Sequence, residues 1–154
     1  MAPRRADPLK ELMKKEWTKA KCTAASMYRL VQMGLLPEQN IGGWRITMES
    51  YPKPDAGELV VFEDYYLRGF GTPVHPFLRR LLKFYKLSLC HLHPNSILAV
   101  SIFINFCECF LGIYPHFNLW RYFYCVKKKG VAGRSQIAGG GVFCSPGGQK
   151  NQNI

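Results

Sequence analysis

The chain has 154 residues, 47% of them hydrophobic, with ten Phe, eight Tyr and three Trp, enough apolar matter for a packed domain and enough to exclude disorder throughout. Its formal net charge of +11 is unevenly spread: residues 1–23 hold seven Lys and Arg against three acids, 24–126 hold nine against seven, and 127–154 hold five against none. The excess lies at the ends, where it favours a polyanion, DNA or RNA foremost, and serves equally as a solubilising flank.

The first element in chain order is PLKELMKKEWTKAK (8–21), with Leu9, Leu12, Met13, Trp17 and Ala20 at helical intervals, an amphipathic helix on a basic arm. TAASMYRLVQMGLLP (23–37) reads as a shorter helix, with Thr23 as N-cap, Met27, Leu30 and Val31 as its apolar stripe and Gly34 at its end. The Gly- and Pro-rich segment 38–57 reads as a long connection, and ELVVF (58–62) as a brief buried strand.

PFLRRLLKFYK (76–86) turns Phe77, Leu78, Leu81, Leu82 and Tyr85 toward a core and leaves Arg79, Arg80, Lys83 and Lys86 as an uninterrupted basic face. Such a face meets phosphates or is simply solvated. ILAVSIFINFCECFLGIY (97–114) is apolar over eighteen residues, but Ser101, Asn105, Glu108 and Gly112 recur along one side of a helix. An acid inside a bilayer costs about 2.5–3.5 kcal/mol, so a mostly buried helix is expected there and no membrane span, with Glu108 opposite an arginine such as Arg121. HFNLWRYFYCVKKK (116–129) reads as an aromatic helix that continues to its lysines, with Phe117, Trp120 and Tyr124 on one face and Leu119, Phe123 and Val126 on the next. Beyond it the Gly-rich remainder is expected to be disordered. Lys127, Lys128, Lys129 and Arg134 form a second cationic cluster.

LCHLHPNS (89–96) crowds one cysteine and two histidines, which raises the question of zinc. His75 and His93 each precede a proline and His116 follows one, so three of the four histidines stand where helices start. A zinc site needs four converging ligands, and no CxxC pair supplies the other half, while Cys107 and Cys109 point to different sides of a helix. No metal or cofactor is expected. The opening MAPRRADPLKEL has no apolar stretch behind its arginines, so the protein is expected to be intracellular, in nucleus or cytoplasm and not secreted, with its six cysteines reduced. No GxxxxGK[ST], GxSxG or HExxH motif is present, and the acids are too scattered for a carboxylate metal cluster, so no catalytic residue is assigned.

Residues 57–127, with the strings RGFG, HPF, HPNSI, FLGI and PHFNLWRYF, resemble the gypsy-type transposon domain of plant genomes, and LVQMGLLPEQNIGGWR (30–45) is similar to its lead-in. The resemblance implies a transposable-element origin and brings no catalytic residues with it; a transposition nuclease follows from the family's name alone. In proteins of that type the chain continues past the aromatic helix, and QIAGGGVFC (136–144) resembles the start of the continuation, which implies a truncated copy, without activity of its own, as an alternative.

The expected fold is mainly α, a small helical domain with one short strand or hairpin and a disordered basic tail. The expected organisation is a basic N-terminal arm (1–22), a helical domain (23–127) and a Gly-rich tail (128–154). The expected function is a non-enzymatic retrotransposon-derived protein of plants that binds nucleic acid without sequence preference or self-associates, through Arg79, Arg80, Lys83, Lys86, Lys127, Lys128, Lys129 and Arg134.

Overall fold

The computed structural model describes residues 21–49, 52–128 and 141–145; the expected helix at 8–21 and the cations Lys129 and Arg134 lie outside them. The described residues form six α-helices, a 3₁₀ turn, a π turn and one antiparallel hairpin. They fall into two compact units that divide between Val60 and Val61.

In the first unit, α1 (Ala24–Gln32) starts as the sequence predicts: the Thr23 hydroxyl accepts from the Ser26 amide, and the Ser26 hydroxyl accepts from the Thr23 amide. It stops where Gly34 takes a left-handed φ of 69° and the Leu35 amide reaches back to the Leu30 carbonyl, so Gly34 supplies the conformation that an L side chain resists. Met27, Leu30 and Leu36 are buried. The connection that follows carries a short α2 (Gln39–Gly42), and the Trp44 indole donates to the Pro37 carbonyl at 2.8 Å. A Cβ on Gly42 would stand 2.7 Å from Pro37 Cγ and 3.0 Å from Trp44 Cδ1, so this position has no room for a side chain.

The expected strand at 58–62 does not form. Glu58 turns back instead: the Arg45 guanidinium donates to both its carboxylate oxygens at 2.8 and 2.6 Å and to Asp55 at 3.1 Å, while the Asp55 amide donates to Glu58 at 2.8 Å. A strand also needs a ladder partner, and among the described residues the only strands are those of the hairpin.

The second unit starts with α3 (Glu63–Tyr66), a turn the sequence reading did not anticipate. Its buried Tyr65 hydroxyl lies 2.6 Å from the Leu92 carbonyl and 3.1 Å from that of Leu89, and burial pushes the phenol's pKa well up. α4 (Pro76–Tyr85) and α5 (Pro94–Asn105) each open on a His-Pro pair. The His75 and His93 rings accept from the Phe77 and Asn95 amides at 3.1 and 3.2 Å, and the prolines sit where no intrahelical amide is needed. His91 does similar work at the intervening 3₁₀ turn (Leu89–His91), accepting from the Ser88 amide. The histidines of LCHLHPNS are thus helix punctuation, and no three His, Cys, Asp or Glu side chains gather at metal-binding distance among the described residues.

α5 ends at Asn105 and widens into a π turn (Phe106–Phe110). Here the expectation of a mostly buried helix over 97–114 is corrected. Ile97, Val100, Phe103 and Cys107 are buried, but Ile102, Phe106, Leu111, Ile113 and Tyr114 are exposed, and Phe110 is 78% exposed. The divergent facing of Cys107, buried, and Cys109, exposed, agrees with the sequence. Among the described residues no helix is long and apolar enough to cross a membrane. On the polar side the Ser101 hydroxyl donates to the Gly69 carbonyl at 3.0 Å, and a Cβ on Gly69 (φ 86°) would strike Ser101 at 2.9 Å.

α6 (Phe117–Phe123) is shorter than expected, because the chain turns extended at Tyr124 and enters β1 (Cys125–Lys128). β2 (Gly141–Cys144), from the segment expected to be disordered, pairs antiparallel with it, Cys125 opposite Cys144 and Val126 opposite Phe143. Tertiary burial overrides local composition here. Phe143 is buried with its ring 4.9 Å from that of Trp120 and 5.8 Å from that of Tyr85. The Gly141 carbonyl accepts from the His93 amide at 2.9 Å and the Ser96 hydroxyl at 2.8 Å, and that hydroxyl accepts from the Phe143 amide at 3.1 Å. A Cβ on Gly141 would approach the His91 carbonyl to 3.0 Å, so the glycine permits this close docking.

Two outcomes are expected. Ser96→Ala leaves the buried Phe143 amide and one lone pair of the Gly141 carbonyl without their partner, and should cost about 1–3 kcal/mol in urea unfolding. Glu58 is held at about 2, below the ordinary 4.5, first by its hydrogen bonds from Arg45 and then by the Asp55 amide. A depressed folded value contributes order that is present above the ordinary value and is lost as pH falls through about 2. The Glu58 carboxyl carbon followed by NMR should titrate near 2, and Arg45→Gln should return it toward the ordinary value; the exposed pair should add little to global stability.

Candidate nucleic-acid interface

The amphipathic division of α4 follows from its sequence. Phe77, Leu78 and Leu81 are buried, while Arg79, Arg80, Lys83 and Lys86 are all exposed. Positions 79, 83 and 86 succeed one another by four and three residues and align along one side of the helix, with Arg80 flanking them. Leu82 and Tyr85, expected in the core, are only half-buried. Among the described residues no carboxylate pairs with any of the four cations.

Arg80 has a different partner. Its guanidinium carbon lies 5.4 Å from the centre of the Tyr114 ring, within cation–π range, and Tyr114 in turn stacks on the His75 imidazole at 6.1 Å and 27°. The His75 Nδ1 accepts from the Phe77 amide, so its Nε2–H donates to Glu108 Oε1 at 3.1 Å without the ring needing a charge. The expected pairing of Glu108 with Arg121 is therefore corrected: the carboxylate goes to the N-cap of α4. The π turn that follows Asn105 carries Glu108, and this partner is 33 residues away in sequence. Tyr114 and His75 join the site only through this fold; the one legible sign was Glu108 as the sole acid in its apolar run.

Lys83 and Lys86 also lie at the C-terminus of α4, where positive charge complements the helix dipole. Lys86 closes the helix in the left-handed conformation, φ 52° and ψ 42°, its amide bonding back to Leu82 and Lys83. The second predicted cluster is divided. Lys127 is half-buried on β1 opposite Val142, Lys128 stands opposite Gly141 on the same strand, and the remaining two cations lie outside the described residues. Lys127 and Lys128 thus belong to a strand and not to the end of a helix. The arrangement leaves four exposed cations on α4, one of them braced by an aromatic face.

Residues 60–128, a little under half of the chain, match a family model described as "Putative gypsy type transposon". The transposon resemblance read from the sequence holds over these residues, which include all of α3 to β1 and the basic face of α4. No curated protein and no solved structure gives a match.

The left-handed lysine separates stability from charge. Lys86→Gly should leave stability unchanged or raise it by up to about 1 kcal/mol, because glycine relieves the left-handed cost. Lys86→Val, bulkier at Cβ, should lower it; urea unfolding midpoints of the two variants make the comparison.

Proposed function

We propose that this chain, carrying a transposon-family segment, is a non-enzymatic intracellular protein of a plant retrotransposon or of a gene derived from one, and that it binds DNA or RNA without sequence preference. The observation that carries the reading is the exposed face Arg79, Arg80, Lys83 and Lys86, free of carboxylate partners among the described residues and inside the matched segment. Phosphate contacts of this kind position a protein on a duplex and carry no base information by themselves. α4 is short, and its apolar side is committed to the core. Support for a non-enzymatic role comes from the absence of a recognised catalytic motif and from the scattering of the acids along the chain. Lys127, Lys128, Lys129 and Arg134 supply a second, independent source of attraction.

Each phosphate neutralised on duplex DNA releases condensed counterion, which gives a slope of about −0.9 per contact in log K against log salt. Full engagement of the α4 face predicts a slope of about −3 to −4 from that face alone. Changing Arg79, Arg80, Lys83 and Lys86 together to Gln should flatten the slope by that amount and weaken all sequences alike, measured by fluorescence anisotropy on unrelated duplexes. The strand and tail cations are best tested by Gln substitution as well, since removing 127–154 would take away the buried Phe143. No binding by the intact chain at low salt would end this reading.

A further inference from the structure

The hairpin places two thiols together that stand 19 residues apart in sequence. Cys125 and Cys144 are directly opposed in the antiparallel ladder, and their Sγ atoms are 3.3 Å apart. Opposed residues in such a ladder have Cα atoms about 4.5–5.5 Å apart, inside the span a disulfide bridges. Drawing the sulfurs to a bond of about 2.05 Å needs only a small side-chain adjustment. Each sulfur also lies near the partner's carbonyl, at 3.4 and 3.6 Å, so both thiols already turn inward across the ladder. Both residues are half-buried, hence reachable by a small reagent, whereas Cys107 is fully buried and Cys109 stands exposed on the π turn.

We propose that Cys125 and Cys144 form a redox modification site, at which a low-molecular-weight disulfide of the oxidised-glutathione class converts the two thiols into an intramolecular disulfide that fastens β2 to β1. One thiolate of the pair attacks a sulfur of the small disulfide, forming a mixed disulfide and expelling one small thiolate. The other cysteine then attacks the protein-borne sulfur, forms the Cys125–Cys144 bond and expels the second small thiolate. The two protein thiols release two protons, which the two small thiolates take up, and two electrons pass from the protein to the oxidant. The bond holds in place the strand that brings Phe143 to Trp120 and the Gly141 carbonyl to the start of α5. It also closes into a loop the sequence that carries Lys127, Lys128, Lys129 and Arg134. The site stands independently of the nucleic-acid reading.

The test uses the full chain, incubated with excess oxidised glutathione, alkylated, digested and read by mass spectrometry beside a thermal melt. The expected result is a cross-linked peptide joining Cys125 to Cys144 with the loss of two hydrogens, glutathione retained on Cys109, and a Tm raised by about 4 °C or more that dithiothreitol reverses. In Cys144→Ser the cross-link and the Tm rise should both vanish and glutathione should remain on Cys125. Recovery of both cysteines alkylated while Cys109 is modified, or a cross-link to a different cysteine, would overturn the site whether or not the variant folds. A cross-link without a rise in Tm would overturn its fastening of β2.

Discussion

α4, α5, α6 and β2 of the second unit meet at the indole of Trp120, which is fully buried. α4 supplies Phe77 at 5.8 Å, α5 supplies Phe103 at 5.1 Å, β2 supplies Phe143 at 4.9 Å, and Tyr124 stacks on the indole at 4.2 Å from the end of its own helix. Aromatic pairs in edge-to-face or offset contact are worth about 0.5–1.5 kcal/mol beyond the area they bury. Phe77, Phe103 and Phe143 all meet the indole edge-on, at interplanar angles of 65°, 80° and 89°. The indole N–H finds no acceptor among the described residues, so ring packing alone holds the side chain.

Around that centre the polar contacts fix direction. Ser96 and the His93 amide tie the start of α5 to the Gly141 carbonyl of the hairpin, and Ser101, five residues on, ties the same helix to the Gly69 carbonyl. Each is a small residue meeting a glycine, so backbone approaches backbone closely where a larger side chain would hold them apart. α5 packs against both α3 and β2 as a result.

The cationic face of α4 is a by-product of the same packing. Once Phe77 is committed to Trp120 and Phe103, helical periodicity leaves Arg79, Arg80, Lys83 and Lys86 to solvent. The N-terminus of α4 is then tied to the π turn through His75 and Glu108, and Tyr114 braces Arg80 from beneath. A helix face that might have been a mere solvated surface thus acquires one cation with a defined position.

How much of this was legible in the sequence divides along physical lines. The caps of α1, α4 and α5, the orientation of α4 and the opposed facing of Cys107 and Cys109 rest on interactions within a few residues, on hydrogen bonds to the nearest free amides and on the 3.6-residue period, so the sequence alone determined them. The transposon resemblance likewise rests on contiguous strings. The tertiary structure alone decided the rest. ELVVF has the composition of a strand but finds no partner ladder, whereas GVFC, set in a Gly-rich tail, becomes one because Val126 lies opposite Phe143 and Trp120 has room for its ring. The partner of Glu108 and the meeting of Cys125 with Cys144 depend on contacts 33 and 19 residues apart. Such contacts are set by which surfaces meet after collapse, and local periodicity carries no record of that.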